Sequence, residues 1–95
     1  MPRWFFTTMD IQETFALNLR RIRVTKQISQ DELALTSGVE RSYVGYVERG
    51  AKNPTIKTVE KLATALGCKV SELFEDIAEG EEKSIMTLPR GRKTK

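Results

Sequence analysis

Residues 29–50 read SQDELALTSGVERSYVGYVERG, and the spacing inside this stretch decides the fold. Ser29 and Glu32 stand in the S-x-x-E order of a capping box, where each side chain accepts a hydrogen bond from an orphan backbone N–H at a helix start. A helix is therefore expected from here through about Thr36. Gly38 ends it, because the left-handed backbone of a tight turn between helices costs a residue with a Cβ about 1–2 kcal/mol. A second helix is expected from about Glu40 to Arg49, with Val44 and Val47 on its inner side. Tyrosines and arginines crowd its other faces.

Working outward, Asp10 and Glu13 form another capping box, ahead of an apolar stripe of Ile11, Phe15, Leu19 and Ile22 at helical spacing. The far face of that first helix carries Arg20, Arg21, Arg23 and Lys26 near its C-terminus, where the macrodipole favours positive charge. After the second helix of the opening stretch, GAKNPT reads as a loop. Thr55 is placed to cap a fourth helix with the stripe Ile56, Val59, Leu62, Ala63 and Leu66, closed by Gly67. Ser71 begins a short fifth helix carrying Leu73, Phe74 and Ile77. No strand pattern appears in this body, so the fold class expected is all-α, a compact five-helix domain over residues 10–79. It is flanked by an N-terminal extension, 1–9, and a basic C-terminal tail, 80–95, read as flexible. Within the tail, SIMTL is an apolar patch that is open to strand pairing or to docking on a second subunit.

Composition narrows the chemistry. The 95 residues are 39% apolar and 31% charged, in the range of a globular protein. One cysteine and no histidine leave no material for a metal cluster, a disulfide framework or histidine acid–base catalysis within one chain. No nucleophile–base pair or paired carboxylates are legible, so neither an enzyme nor a cofactor is expected. Cys68, among apolar neighbours, reads as an inert thiol. No window reaches the roughly 18 apolar residues of a membrane span, and the opening MPRWFFTTM is too short in its apolar run for a signal peptide. The expected location is cytoplasmic, with no membrane contact and no small-molecule effector. Residues 20–61 hold nine basic against five acidic residues, 62–82 one against six, and 83–95 five against none. That distribution points to one face meeting an anion.

A helix, a glycine turn and a second helix match the helix-turn-helix motif, whose second helix lies in the DNA major groove. The unit Gln30–Arg49 is twenty residues long, with Ala34 where the helices cross, Gly38 at the turn, and Leu33, Val39, Val44 and Val47 as the wedge between them. With ISQDELA, VERG and NPTIKTVEKLATALGCKVSELF it resembles the phage-repressor or Xre-type helix-turn-helix family over about residues 10–77. Within that family, ERSYVGYVERGAKNPT is most similar to the controller proteins of restriction–modification systems.

The resemblance implies a sequence-specific, DNA-binding transcription regulator that works as a homodimer on a near-palindromic operator. It implies base reading by Arg41, Ser42 and Tyr46, with Arg41 matched to guanine O6 and N7. Glu40 stands where the family often has a short capping residue, and is able to exclude some sequences or accept from cytosine N4. Gln30, Tyr43, Arg49, Lys52 and Asn53 fall at positions for the phosphate backbone. The acidic segment from Ser71, with Leu73, Phe74 and Ile77, is the expected dimer surface, and Glu48 is expected to pair within the chain with an arginine such as Arg21 or Arg20. The alternative is an antitoxin-like or other protein-interaction module using the terminal extensions. Trp4, Phe5 and Phe6 are open to packing on the core, to a dimer contact or to disorder.

Overall fold

Two capping boxes set the starts of the first two helices. In the computed structural model, which describes residues 10–78 and 80–88, α1 runs Ile11–Thr25 and α2 runs Gln30–Ser37. Asp10 Oδ1 accepts from the Glu13 N–H at 2.9 Å, and Glu13 Oε1 accepts from the Asp10 N–H at 3.2 Å. At α2, Ser29 Oγ accepts from Glu32 N–H at 3.0 Å while Glu32 Oε1 accepts from Ser29 N–H at 2.8 Å. Removing one such hydroxyl orphans a backbone donor. Ser29→Ala is therefore expected to lower folding stability by about 1 kcal/mol, read as a lower urea midpoint with an unchanged slope.

Gly38 closes α2 at φ 78°, the left-handed turn that the motif requires, and Val39 leads into α3, Arg41–Glu48. Thr55 Oγ1 accepts from Thr58 N–H at 3.1 Å and starts α4, Ile56–Leu66. A 3-10 turn follows at Val70–Phe74, and α5 spans Glu81–Met86. The fold is all-helical, with five α-helices and no strand among the described residues.

α2 packs on both α3 and α4, while α1 lies against α3, the 3-10 turn and α5. Leu19, Leu33, Val44, Val47, Leu62, Leu66 and Leu73 fill the space between them, and the Phe15 and Phe74 rings meet at 5.3 Å between centroids. Burying each of these aliphatic side chains contributes roughly 1.5–3 kcal/mol. Asn18, fully buried on α1, donates through Nδ2 to the carbonyls of Leu73 (3.1 Å) and Glu75 (2.8 Å), which ties the 3-10 turn to the first helix.

The structure corrects four expectations. The fifth helix expected from Ser71 is the 3-10 turn; the fifth α-helix lies further on, in the segment read as a flexible tail. Residues 84–88 do not pair as a strand, because Ile85 turns inward and joins Leu17 and Ile77 in a second apolar cluster. Leu73, Phe74 and Ile77, expected at a dimer surface, are engaged within the chain: Leu73 in the main core, Phe74 against Phe15, and Ile77 beneath Ile85. Ile56, counted in the core stripe of α4, is 87% exposed, since the first residue of a helix precedes its packed turns. Trp4, Phe5 and Phe6, and the tail beyond Leu88, lie outside the described residues.

Candidate nucleic-acid interface

Val44 and Val47 are buried, and their positions fix which face of α3 looks outward. Glu40, Arg41, Ser42, Tyr46 and Arg49 are exposed on that outer side. Glu40 makes no capping hydrogen bond, as its length predicts, so its carboxylate stays at the exposed entrance to the helix. The Arg49 guanidinium lies 5.0 Å from the Tyr46 ring centroid and the Lys52 ammonium 5.8 Å from it. Both cations sit within the range at which an aromatic face attracts them. Tyr46 thereby gathers two positive charges beside the outer face of α3.

Lys52 and Asn53 are exposed on the loop that follows. That loop is pinned by Gln12, whose Nε2 donates to the Gly50 carbonyl at 2.6 Å. Tyr43 is half-buried instead: its ring packs on the core and its hydroxyl donates to the Asn53 carbonyl at 3.4 Å, so it braces the loop. Arg41 is exposed and its Nε donates to Asp31 Oδ1 at 2.6 Å.

Gln30 is placed differently from the expected phosphate ligand. It is 4% exposed, and its Nε2 donates to Glu48 Oε1 at 2.9 Å. The cause is Glu48 itself, a carboxylate with 0% side-chain exposure at the end of α3. A buried carboxylate must be satisfied by donors from every side. Arg23 supplies two, Nε to Oε2 at 2.6 Å and Nη2 to Oε1 at 3.1 Å, while its Nη1 donates to the Ile28 carbonyl at 2.8 Å. Arg20 Nε approaches Oε1 at 3.5 Å, and its Nη1 donates to the Met86 carbonyl at the end of α5 at 3.1 Å. One carboxylate thus joins α1, α2 and α3. Arg21 or Arg20 was expected on Glu48, and Arg20 contributes; the principal partner is Arg23, which helical spacing placed on the far face of α1.

Two further residues were missed. Asp31 gave no local signal, being one more acid in the first turn of α2, where the dipole favours it. Gly45 did leave a signal: a glycine inside a helix destabilises it by about 1 kcal/mol relative to alanine, and arginines stand four residues to either side. Elsewhere, burial pushes the Cys68 thiol up from its ordinary pKa, assisted by Glu72 and opposed by Lys26. It stays protonated and packs against the core.

A match to the helix-turn-helix family HTH_3 spans residues 19–73, which covers α2, the turn, α3 and their supports. The chain belongs to the helix-turn-helix family. As a helix-turn-helix protein it falls in the functional class of DNA-binding transcription regulation. It is 42% identical over 74 residues to control protein C.SmaI of Serratia marcescens, covering 78% of this chain and 88% of that one. Among solved structures it is similar to the restriction–modification controller protein C.AhdI of Aeromonas hydrophila, at 48% identity and TM-score 0.65, over 66% of this chain and 96% of that one. The structure of a hypothetical transcription factor, NHTF, from Neisseria matches at 38% identity and TM-score 0.67, over 81% of this helix-turn-helix chain and 86% of the other. No helix among the described residues is long and apolar enough to cross a membrane.

Proposed function

We propose that this helix-turn-helix protein is a sequence-specific transcription regulator without catalytic activity, acting in the cytoplasm as a homodimer on a near-palindromic operator. The observation that carries the reading is the division of α3: Val44 and Val47 are buried, while Arg41, Ser42 and Tyr46 stand exposed on its outer side. A helix presented this way enters the major groove with its N-terminal residues at the base edges. Arg41 is the guanine reader, Ser42 a permissive contact, Tyr46 a partner for a thymine methyl or a phosphate, and Glu40 a filter on the first base. Arg49, Lys52 and Asn53 hold the flanking phosphates. Tyr43 serves the same backbone contacts indirectly, by bracing the loop, while Gln30 helps to anchor α3 through Glu48.

Eight residues of helix, about 12 Å long, span only a few base pairs. Two-fold pairing supplies the rest of the address, setting two copies of α3 about one DNA turn, or ~10 base pairs, apart. Leu73 and Ile77 are not available for that pairing; the apolar surface left on the 3-10 turn is Val70 and the outer edge of Phe74. The similarity to C.SmaI and C.AhdI favours control of a restriction–modification system as the regulated function.

The test is selection of bound duplexes from a random pool at physiological salt. A two-fold symmetric site bound by two chains is expected. A folded protein that enriches no sequence would sink the proposal. Lys52→Ala is expected to weaken binding to all duplexes alike, and to reduce the slope of log affinity against log salt by about one for each phosphate that is no longer neutralised.

A further inference from the structure

Arg41 is held in place before any DNA arrives. Its Nε donates to Asp31 Oδ1 at 2.6 Å, across the turn from α2. Both side chains are solvent-exposed, Arg41 at 48% and Asp31 at 84%, and an exposed pair of this kind contributes little to folding. What it does fix is the guanidinium plane. A guanidinium offers two forked edges, one through Nε and one through the two terminal nitrogens. With Nε on Asp31, the terminal edge is the one left for a bidentate contact.

Gly45 adds the second constraint. A Cβ built at this position would lie 3.3 Å from Arg41 Nη1 and 3.3 Å from Arg49 Nη1. The two guanidinium groups therefore converge over the bare turn of α3, closer than most side chains approach a Cβ. Glycine is the least favourable residue for a helix interior after proline, and nothing in the core requires it here, since Gly45 faces these two arginines. Its missing side chain gives the Arg41 fork room to lie flat along the helix.

We propose that Asp31 and Gly45 are the positioning residues of Arg41, so that specificity at the base pair Arg41 reads is set from α2 as well as from α3. This rests on the reading of Arg41 as a base contact. Asp31 orients the fork from one side, and Gly45 provides the surface on which its Nη1 end is seated. The Asp31 carboxylate also repels nearby phosphates. Its removal should therefore tighten binding to DNA at large while loosening discrimination, two effects of opposite sign that a general electrostatic role does not produce together.

The experiment measures the affinity of the full chain for the selected duplex, for each of its single-base-pair variants and for an unrelated duplex. Wild type, Arg41→Ala, Asp31→Ala, Gly45→Ala and the Asp31→Ala/Arg41→Ala double variant are compared at one salt concentration, with thermal unfolding alongside. Asp31→Ala is expected to bind the unrelated duplex more tightly yet lose about tenfold in discrimination, confined to the base pair that Arg41→Ala affects. The double variant should discriminate no worse than Arg41→Ala alone. Gly45→Ala should unfold no earlier than wild type, because alanine favours the helix, and still lose preference at the same base pair. If Arg41→Ala loses that preference while Asp31→Ala and Gly45→Ala keep it, the positioning role is wrong and the base-reading role stands. If Arg41→Ala changes no preference at all, both fall.

Discussion

Glu48→Ala is expected to remove about 3–5 kcal/mol of folding stability, the range for breaking a buried ion pair from one side. The magnitude comes from what stays behind. Arg23 has no side-chain exposure, so its guanidinium would keep its charge in the interior after losing two of its hydrogen bonds. The Gln30 amide would lose its acceptor and Arg20 its ion-pair partner in the same step. A domain of this size has a total stability on the order of 5–14 kcal/mol, so the variant would retain a fraction of it at best. Urea unfolding followed by helical circular dichroism reads the loss directly. Arg23→Met combined with Glu48→Leu should lose less than Glu48→Ala alone, because it removes the charge together with its partner. A Glu48→Ala protein with the wild-type midpoint would show that this network does not hold the helices.

The second large effect falls on recognition. Arg41→Ala is expected to lose about 1–3 kcal/mol of discrimination at one base pair per half-site, hence roughly 2–6 kcal/mol across a symmetric operator where the two sites act independently. Its stability should change little, since Arg41 is an exposed side chain in a surface pair. Competition between the selected duplex and a duplex altered at the paired positions measures the ratio. Uniform weakening of every duplex would instead assign Arg41 to the backbone.

Local chemistry made much of this fold legible. The boxes at Asp10 and Ser29, the turn at Gly38 and the cap at Thr55 each depend on residues within a few positions, and all lie where spacing placed them. The wedge of Leu33, Val44 and Val47 was equally clear, since helical period assigns apolar residues to one face. Buried polar groups resist that reading. Arg23 lies twenty-five residues from Glu48, and no period marks an arginine as internal. The same limit hid Asn18, whose partners are the carbonyls of Leu73 and Glu75. α5 was illegible for a different reason. Its six residues form a helix too short to hold alone, and it is secured by Ile85 beneath and by Arg20 on the Met86 carbonyl. Of the candidate interface, the exposure of Arg41, Ser42 and Tyr46 followed from the motif. The contacts they make within the chain, Asp31 on Arg41 and Arg49 over Tyr46, emerge only in three dimensions.

The division of α3 into buried and exposed positions has a consequence for how such a regulator changes its target. Val44, Val47 and Glu48 are buried against the rest of the chain, while Arg41, Ser42 and Tyr46 keep exposed surface for what lies outside it. On the proposed function, eight consecutive residues carry two messages, one addressed to the scaffold and one to the operator. A lineage built this way would acquire a new operator by rewriting the outer letters, with Asp31 beside them, while the inner ones stay legible to the same fold.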